Sequence, residues 1–243
     1  MEKYIIKNII RPKEELLMEY RKLDVSTIYE AQGKQNIMDS DLKPIITNKT
    51  IVGPAVTVTC QAGDNLMIHA AIEVCKPGDV VVISTQGHCM AGMIGELIVT
   101  AMMKKGVQGV IIDSGIRDVR QIRDLSFPIW TRAVLSQGTT KIKGGWVNAP
   151  TVCGGVTVEA GDLIVADEDG VVIIKKEDLQ STLDASKARL EKEAGTKAKI
   201  DSGQISLDFY NLRPVLEKEG VVYYENEEEY LNTTRQEKIY GKA

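Results

Sequence analysis

Apolar and polar positions change period several times along this chain, and each change marks an element. Pro12 to Leu23 has the charged, amphipathic spacing of a helix, and Asp24 opens a second helix that Gly33 stops after Gln32. Ile51–Thr59 alternates apolar and small residues around Gly53 and Pro54, as a strand does. Asp64 and Asn65 offer caps to a helix over Leu66–Val74, ended by the turn Pro77, Gly78, Asp79. Val80–Ser84 is an unbroken apolar run, typical of a strand covered on both faces. Gly92 to Asp118 then reads as a loop, a helix over 96–105, a turn at Gly106 and a buried strand over 110–113. With Val80–Ser84 this makes a β-α-β unit with a right-handed crossover.

Val119–Leu125 reads as a short helix and Pro128–Ala133 as the next strand. From Val152 to Ile174 short apolar runs alternate with turns at 154–155, 160–162 and 167–170, the pattern of antiparallel hairpins. Three acids crowd the turn Asp167–Gly170, but their spacing is not that of a calcium loop, and a hairpin turn is expected. Lys176 to Ile200 is a long, charge-dense helix with a weak apolar stripe, suited to a surface or to another subunit. One more short helix and a strand at Val221–Tyr224 are expected, then a frayed polar tail over Glu225–Ala243. The expected division is an α/β domain over 1–175 and a C-terminal helical extension over 176–243.

Composition narrows the function. The chain has 243 residues, 43% of them hydrophobic and 26% charged, which suits a globular protein with a full core. A net charge of −4 argues against a nucleic-acid partner. The N-terminus alternates charged and apolar residues and does not read as a signal peptide, and no window approaches eighteen uninterrupted apolar residues. A cytoplasmic protein without membrane contact is expected. Cys60, Cys75, Cys89 and Cys153 form no C-x-x-C pair and read as reduced, buried thiols. Cys89, in a loop beside His88, is the exception that could be a nucleophile, though no third orienting group is evident.

The candidate chemistry gathers between Gly92 and Asp118. A helix that precedes a parallel strand runs antiparallel to it, so the helix start and the strand's carboxyl end share one edge. Free backbone N–H groups, Glu96, Arg117 and Asp118 should meet there, at the edge where open α/β sheets bind ligands. Glu96 reads equally as a carboxylate that stabilises the helix dipole, and Asn65 as a cap or a substrate contact. His69, among Met67, Ile68, Ala70 and Ala71, reads first as a core or edge histidine. Two histidines in all exclude a three-histidine zinc site, so a catalytic metal would be held by oxygen, favouring Mg²⁺ or Mn²⁺. No phosphate loop, dinucleotide fingerprint or convincingly buried lysine is found.

The run G-M-I-G-E-L-I at 92–98, followed by G-V-Q-G-V-I-I-D-S-G-I-R-D at 106–118, resembles a known family. It groups the regulator of ribonuclease activity A with the 4-hydroxy-4-methyl-2-oxoglutarate / 4-carboxy-4-hydroxy-2-oxoadipate aldolases. E-A-Q-G at 30–33, G-D-N-L-M-I-H at 63–69, K-P-G-D-V-V-V at 76–82 and F-P-I-W-T-R-A at 127–133 extend the similarity. V-C-G-G-V-T-V-E-A-G-D-L-I-V-A-D-E-D-G-V-V at 152–172 and S-L-D-F-Y at 206–210 complete a set of matches that ties the chain to the aldolase branch.

The resemblance implies an α/β/α sandwich with N-terminal helices, assembled as homotrimers or hexamers with the site between subunits. It implies a divalent-metal-dependent class II aldolase that cleaves 4-hydroxy-2-oxo acids to pyruvate and decarboxylates oxaloacetate as a side activity. Asp118 would ligate Mg²⁺ or Mn²⁺ directly and Glu96 would hold a metal-bound water. Arg117 would bind the 2-keto oxygen, and backbone amides from Gly95 through Leu97 to Ile98 would hold the substrate carboxylate. The segment G-Q-I-S-L-D departs from the family's usual G-E-L-G-L-D and puts Gln204 where a glutamate reaches the neighbouring subunit's metal shell, with Glu193 as an alternative. The rival function is a non-catalytic, ribonuclease inhibitor-like binding protein.

Overall fold

A computed structural model describes residues 2–240. The chain divides into two compact units, Met1–Leu190 and Glu191–Ala243. In the first, helices α1 (Glu14–Tyr20) and α2 (Val25–Ala31) lead into β1 (Lys43–Pro44), β2 (Ile51–Gln61), α3 (Leu66–Val74) and β3 (Val80–Gln86). Next come β4 (Gly92–Ile94), α4 (Glu96–Lys104), β5 (Gly109–Ile116), α5 (Val119–Asp124) and β6 (Ile129–Val134). β7 (Trp146–Val147), β8 (Thr151–Cys153), β9 (Val156–Val158), β10 (Leu163–Ala166), β11 (Val171–Ile174) and the start of α6 (Leu179–Asp201) follow.

The principal sheet has the order β1-β6-β5-β3-β2-β10-β11, with β4 added to β5 and β7 to β2. Its centre is parallel, β2 to β3 to β5 to β6, and its two ends are antiparallel. The expected β-α-β unit is present, since Val80 to Ile83 face Gly109 to Ile112 in parallel register. Successive residues feed opposite faces, as the strand period requires. Val56, Val58, Val81, Ile83, Val110, Ile112 and Ile129 pack with α3, α4 and α5. On the other face Ala55, Val80, Val82, Ile111 and Trp130 share a core with Ile164, Ala166, Val171 and Ile173, so the β10–β11 hairpin folds over the sheet it extends. α1, α2 and the start of α6 cover the hairpin's outer side through Tyr20, Ile28, Leu179 and Leu183.

One cap and one turn match the sequence. The Asp24 carboxylate accepts the Thr27 N–H at 2.6 Å and starts α2, and Asp167–Gly170 is the turn between β10 and β11. Four expectations need correction. Gly92–Ile94, read as loop, is a strand, because its short apolar run pairs in parallel with the end of β5. Val221–Tyr224 forms no strand: Gly220 takes φ 70 and the Val221 N–H donates to Leu216 O, so the segment closes a helix instead. That helix, α8 (Arg213–Lys218), follows α7 (Ser206–Phe209), giving two short helices where one was expected. The polar tail is not frayed over its described length. Asn226 Oδ1 accepts the Glu229 N–H at 2.9 Å and three glutamates favour the start of α9 (Glu227–Tyr240). Residues 241–243 of that expected tail lie outside the described residues.

The β4–β5 contact leaves no room for a side chain at Gly115. A Cβ there would come closer than 3.0 Å to the carbonyl oxygens of Met90 and Ala91. Gly115→Ala is therefore expected to push β4 off β5 and to destabilise the protein by about 2 kcal/mol, the usual scale of overpacking. Urea denaturation checks this, and an unchanged midpoint would mean that the 90–91 segment yields without cost.

Candidate active site

β4 and β5 end level with each other. Gly92 pairs with Gly115 and Ile94 with Ile116, and the Arg117 N–H donates to Ile94 O at 2.8 Å. The chain leaving β4 enters α4 at once through Gly95, while the chain leaving β5 presents Arg117 and Asp118. Asp118 has φ 57 and ψ 35, a left-handed conformation that aspartate tolerates better than most residues. Its Oδ2 accepts the Glu96 N–H at 3.2 Å and lies 3.7 Å from Arg117 Nε. A Cβ at Gly95 would fall closer than 3.0 Å to that same Oδ2 and 3.1 Å from Arg117 Nε. Glycine is thus required for the start of α4 to approach the two charged residues.

A cleft of about 180 Å³ opens over this junction. Arg117, Asp118, Gly95, Leu97 and Ile98 line one side, and Asn65 and His69 of α3 line another. Leu97 is the second residue of α4, where no preceding carbonyl takes its N–H, so this amide is a donor at the cleft. Glu96 joins through its backbone: its own carboxylate lies back along the helix and accepts from Thr100 Oγ1 at 3.1 Å. Glu193 and Gln204 belong to the C-terminal unit, and Gln204 Nε2 lies 3.4 Å from Ser202 Oγ.

Asn65 does not cap α3 with its side chain; the neighbouring Asp64 takes the Leu66 N–H at 3.0 Å instead. The Asn65 amide donates to Met93 O at 2.9 Å, which fixes its orientation and leaves Oδ1 buried without a protein donor. An acceptor so placed is costly unless a ligand or water supplies a hydrogen. Of the two readings of His69, core or edge, the structure takes the edge one: it is exposed at the cleft, and partial desolvation of its ring, then the charge of Lys141, hold its imidazole below the usual histidine value.

The third wall was not read from the sequence. Gly138, Thr139 and Lys141 come from the irregular segment between β6 and β7. Its run Q-G-T-T-K-I-K-G-G, following a strand that ends at the same sheet edge, was the available signal. With His69 neutral near pH 7, Arg117 and Lys141 outweigh Asp118, and the start of α4 adds partial positive charge. The charge at the cleft is on balance positive, which favours an anion.

A larger depression of about 350 Å³, lined by Ser84, His88, Asp113 and Arg132 among others, has a different character. Arg132 is committed to Asp113 and to Asp39 at 2.6 Å, and Asp113 Oδ2 accepts the Gly154 N–H at 2.8 Å. These charges satisfy one another and tie the β8–β9 hairpin to the sheet. Cys89, the candidate nucleophile, is buried, with Sγ 3.3 Å from Gly63 N and 3.9 Å from Met93 Sδ. All four cysteines are free and buried, as expected.

Residues 24–173 match the RraA-like family, described as Aldolase/RraA. The chain belongs to this family. It is 34% identical over 189 residues to a Halalkalibacterium halodurans protein named "Putative 4-hydroxy-4-methyl-2-oxoglutarate aldolase", covering 77% of this chain and 90% of that one. An uncharacterized Methanocaldococcus jannaschii protein is 35% identical over 173 residues, 70% of this chain and 83% of its own. Among solved structures, Streptomyces coelicolor RraAS2, described as an unusual member of the RNase ES inhibitor RraA protein family, superposes with a TM-score of 0.70. It is 26% identical and covers 78% of this chain and 99% of its own. RraA-like membership and the α/β fold therefore agree with the resemblance drawn from the motifs. Among the described residues no helix is long and apolar enough to cross a membrane.

The RraA-like cleft yields a direct test. Gly95→Ala is expected to weaken binding of oxalate, a small carboxylate probe, at least tenfold by calorimetry while the melting temperature stays within a few degrees. Unchanged affinity would place anion binding elsewhere.

Proposed function

We propose that this chain is a lyase that cleaves 4-hydroxy-2-oxo acids to pyruvate and a second oxo compound. The observation that carries the reading is the meeting of Arg117, Asp118 and the first amides of α4 in one cleft. In a retro-aldol cleavage the C4 hydroxyl loses its proton, the C3–C4 bond breaks, and its electron pair becomes the enolate of pyruvate, which is then protonated at C3. The demand on the protein is stabilisation of negative charge growing on the C2 oxygen. A guanidinium fixed at the cleft meets it by preorganised electrostatics. The N–H of Leu97 and the helix start receive the C1 carboxylate, and Lys141 supports a second carboxylate such as dicarboxylic substrates carry. Loss of carbon dioxide from oxaloacetate passes through the same enolate, so decarboxylase side activity belongs to the proposal.

The donor set is compatible with Mg²⁺ or Mn²⁺. Among the described residues no three His, Cys, Asp or Glu side chains are placed to hold a metal ion, but a hydrated Mg²⁺ commonly takes only one or two carboxylates and keeps its waters. Asp118 would hold it directly and Glu96 through a water, given rotation of its carboxylate away from Thr100. The orphaned oxygen of Asn65 offers an acceptor for a water of the same shell or for a substrate hydroxyl. When bound, the metal supplies Lewis acidity toward the keto oxygen. Gln204 or Glu193 of a neighbouring subunit would join that water shell in a homotrimer or hexamer, and the cytoplasm would supply the 2-oxo acid. The rival, a non-catalytic regulator of a ribonuclease, draws support from the description of the S. coelicolor relative. It gives no role to a cationic cleft with an unpaired acceptor.

The test is pyruvate release from a panel of 4-hydroxy-2-oxo acids with and without added Mg²⁺. Arg117→Ala should lower kcat/KM on the scale of about 3 kcal/mol, the usual loss of one oxyanion donor. Its half-exposed ion pair with Asp118 predicts almost no change in stability. Asp118→Ala should abolish the metal-dependent rate. If both variants keep near-native turnover and only melt earlier, the pair is structural and the lyase reading fails.

A further inference from the structure

The wall that carries Thr139 and Lys141 has no helix or strand and no buried apolar side chain from Leu135 through Lys143, and Ile142 is 78% exposed. Such a segment should wander, yet it is bonded in detail. At its front the Gly92 N–H donates to Gln137 O at 2.9 Å. In its middle the Thr140 N–H donates to Gly63 O at 2.9 Å, and the Asn65 N–H to Thr140 O at 3.0 Å. Behind these lies Asp64, only 1% exposed. Its Oδ2 accepts three hydrogens from the segment: Thr140 Oγ1 at 2.6 Å, Ile142 N at 2.7 Å and Lys143 N at 3.1 Å. Its Oδ1 accepts the Leu66 N–H at 3.0 Å and so fixes the first turn of α3.

We propose that Asp64 is a positioning residue, which locks the 139–143 segment to the start of α3 and thereby sets the distance across the cleft between Lys141 and the Arg117–Asp118 junction. This rests on the cleft being the active site. One carboxylate ties together two walls: α3, which brings Asn65 and His69, and the segment that brings Thr139 and Lys141. Only an ionised carboxylate does this, because all four bonds need an acceptor. An asparagine at 64 would turn its NH₂ either toward the Leu66 N–H or toward the three donors of the segment. The carboxyl is held down at about 2, against the opposing effect of its own burial, by the bonds from Ile142, Thr140, Leu66 and Lys143. The lock is therefore complete above the ordinary aspartate range and is lost only as pH falls toward 2.

The test compares Asp64→Asn with the wild type by amide hydrogen exchange and by kinetics on oxaloacetate, with Thr140→Val as a milder variant should Asp64→Asn fold poorly. In the wild type the Ile142 and Lys143 amides, exposed by position, should be protected. In Asp64→Asn they should exchange at least a hundredfold faster, while amides of β3 and β5 keep their protection. KM should rise tenfold or more with kcat within about threefold, since Arg117 and Asp118 stay in place. Thr140→Val should move both quantities in the same direction by less. Unprotected wild-type amides, unchanged exchange in the variants, or kcat and KM altered only in step with melting temperature would overturn the proposal. If the wild type turns over no oxaloacetate, the catalytic reading falls on its own, and the exchange measurement still decides whether Asp64 holds the wall.

Discussion

Everything at the candidate site depends on a two-residue pairing: Gly92 and Ile94 of β4 against Gly115 and Ile116 of β5. Parallel strands usually neighbour one another through a long crossover, and here β4 is a short strand that enters its helix directly. Because both strands stop at one level, the first amides of α4 and the residues after β5 are delivered to the same point without a loop between them. The cost is steric. Gly115 must let the 90–91 backbone pass, and Gly95 must let Asp118 and Arg117 approach. Asp118 adds a left-handed backbone, of order 1 kcal/mol of strain, offset where its carboxylate bonds to the start of α4.

Much of this was legible in the chain. The apolar runs at Val80–Ser84 and 110–112 placed the central strands, and the period of 96–105 placed α4 between them. Antiparallel geometry of helix and strand then brought Glu96, Arg117 and Asp118 to one edge. What the pattern could not show was how the helix start is reached. Three residues, Gly92 to Ile94, are too few to display a strand period, and their glycine looks like loop. The role of Glu96 divided for a related reason: its position at the helix start was predictable, but its rotamer is decided by Thr100 one turn on.

The far wall was invisible because it is held by polar bonds rather than by burial. Periodicity reports apolar contacts, and the 135–143 segment buries no side chain in the core. Its order comes from Asp64, which looked like one half of an ordinary helix cap. Asn65 was open between cap and ligand; its side chain caps no amide of α3 and donates instead to Met93 O, leaving its oxygen without a protein donor. At the C-terminus the apolar run Val221–Tyr224 misled, since a β-prone sequence without a partner strand has nothing to bond.

The central claim is that this cleft stabilises a pyruvate enolate, and it can be put to test without knowing the natural substrate. Pyruvate incubated in D₂O with the protein and Mg²⁺ would be followed by proton NMR of its methyl group. The account predicts loss of the methyl signal well above the buffer rate, and its return to the buffer rate in Arg117→Ala. Exchange at the buffer rate with the wild-type protein, at a concentration where pyruvate binds, would contradict it.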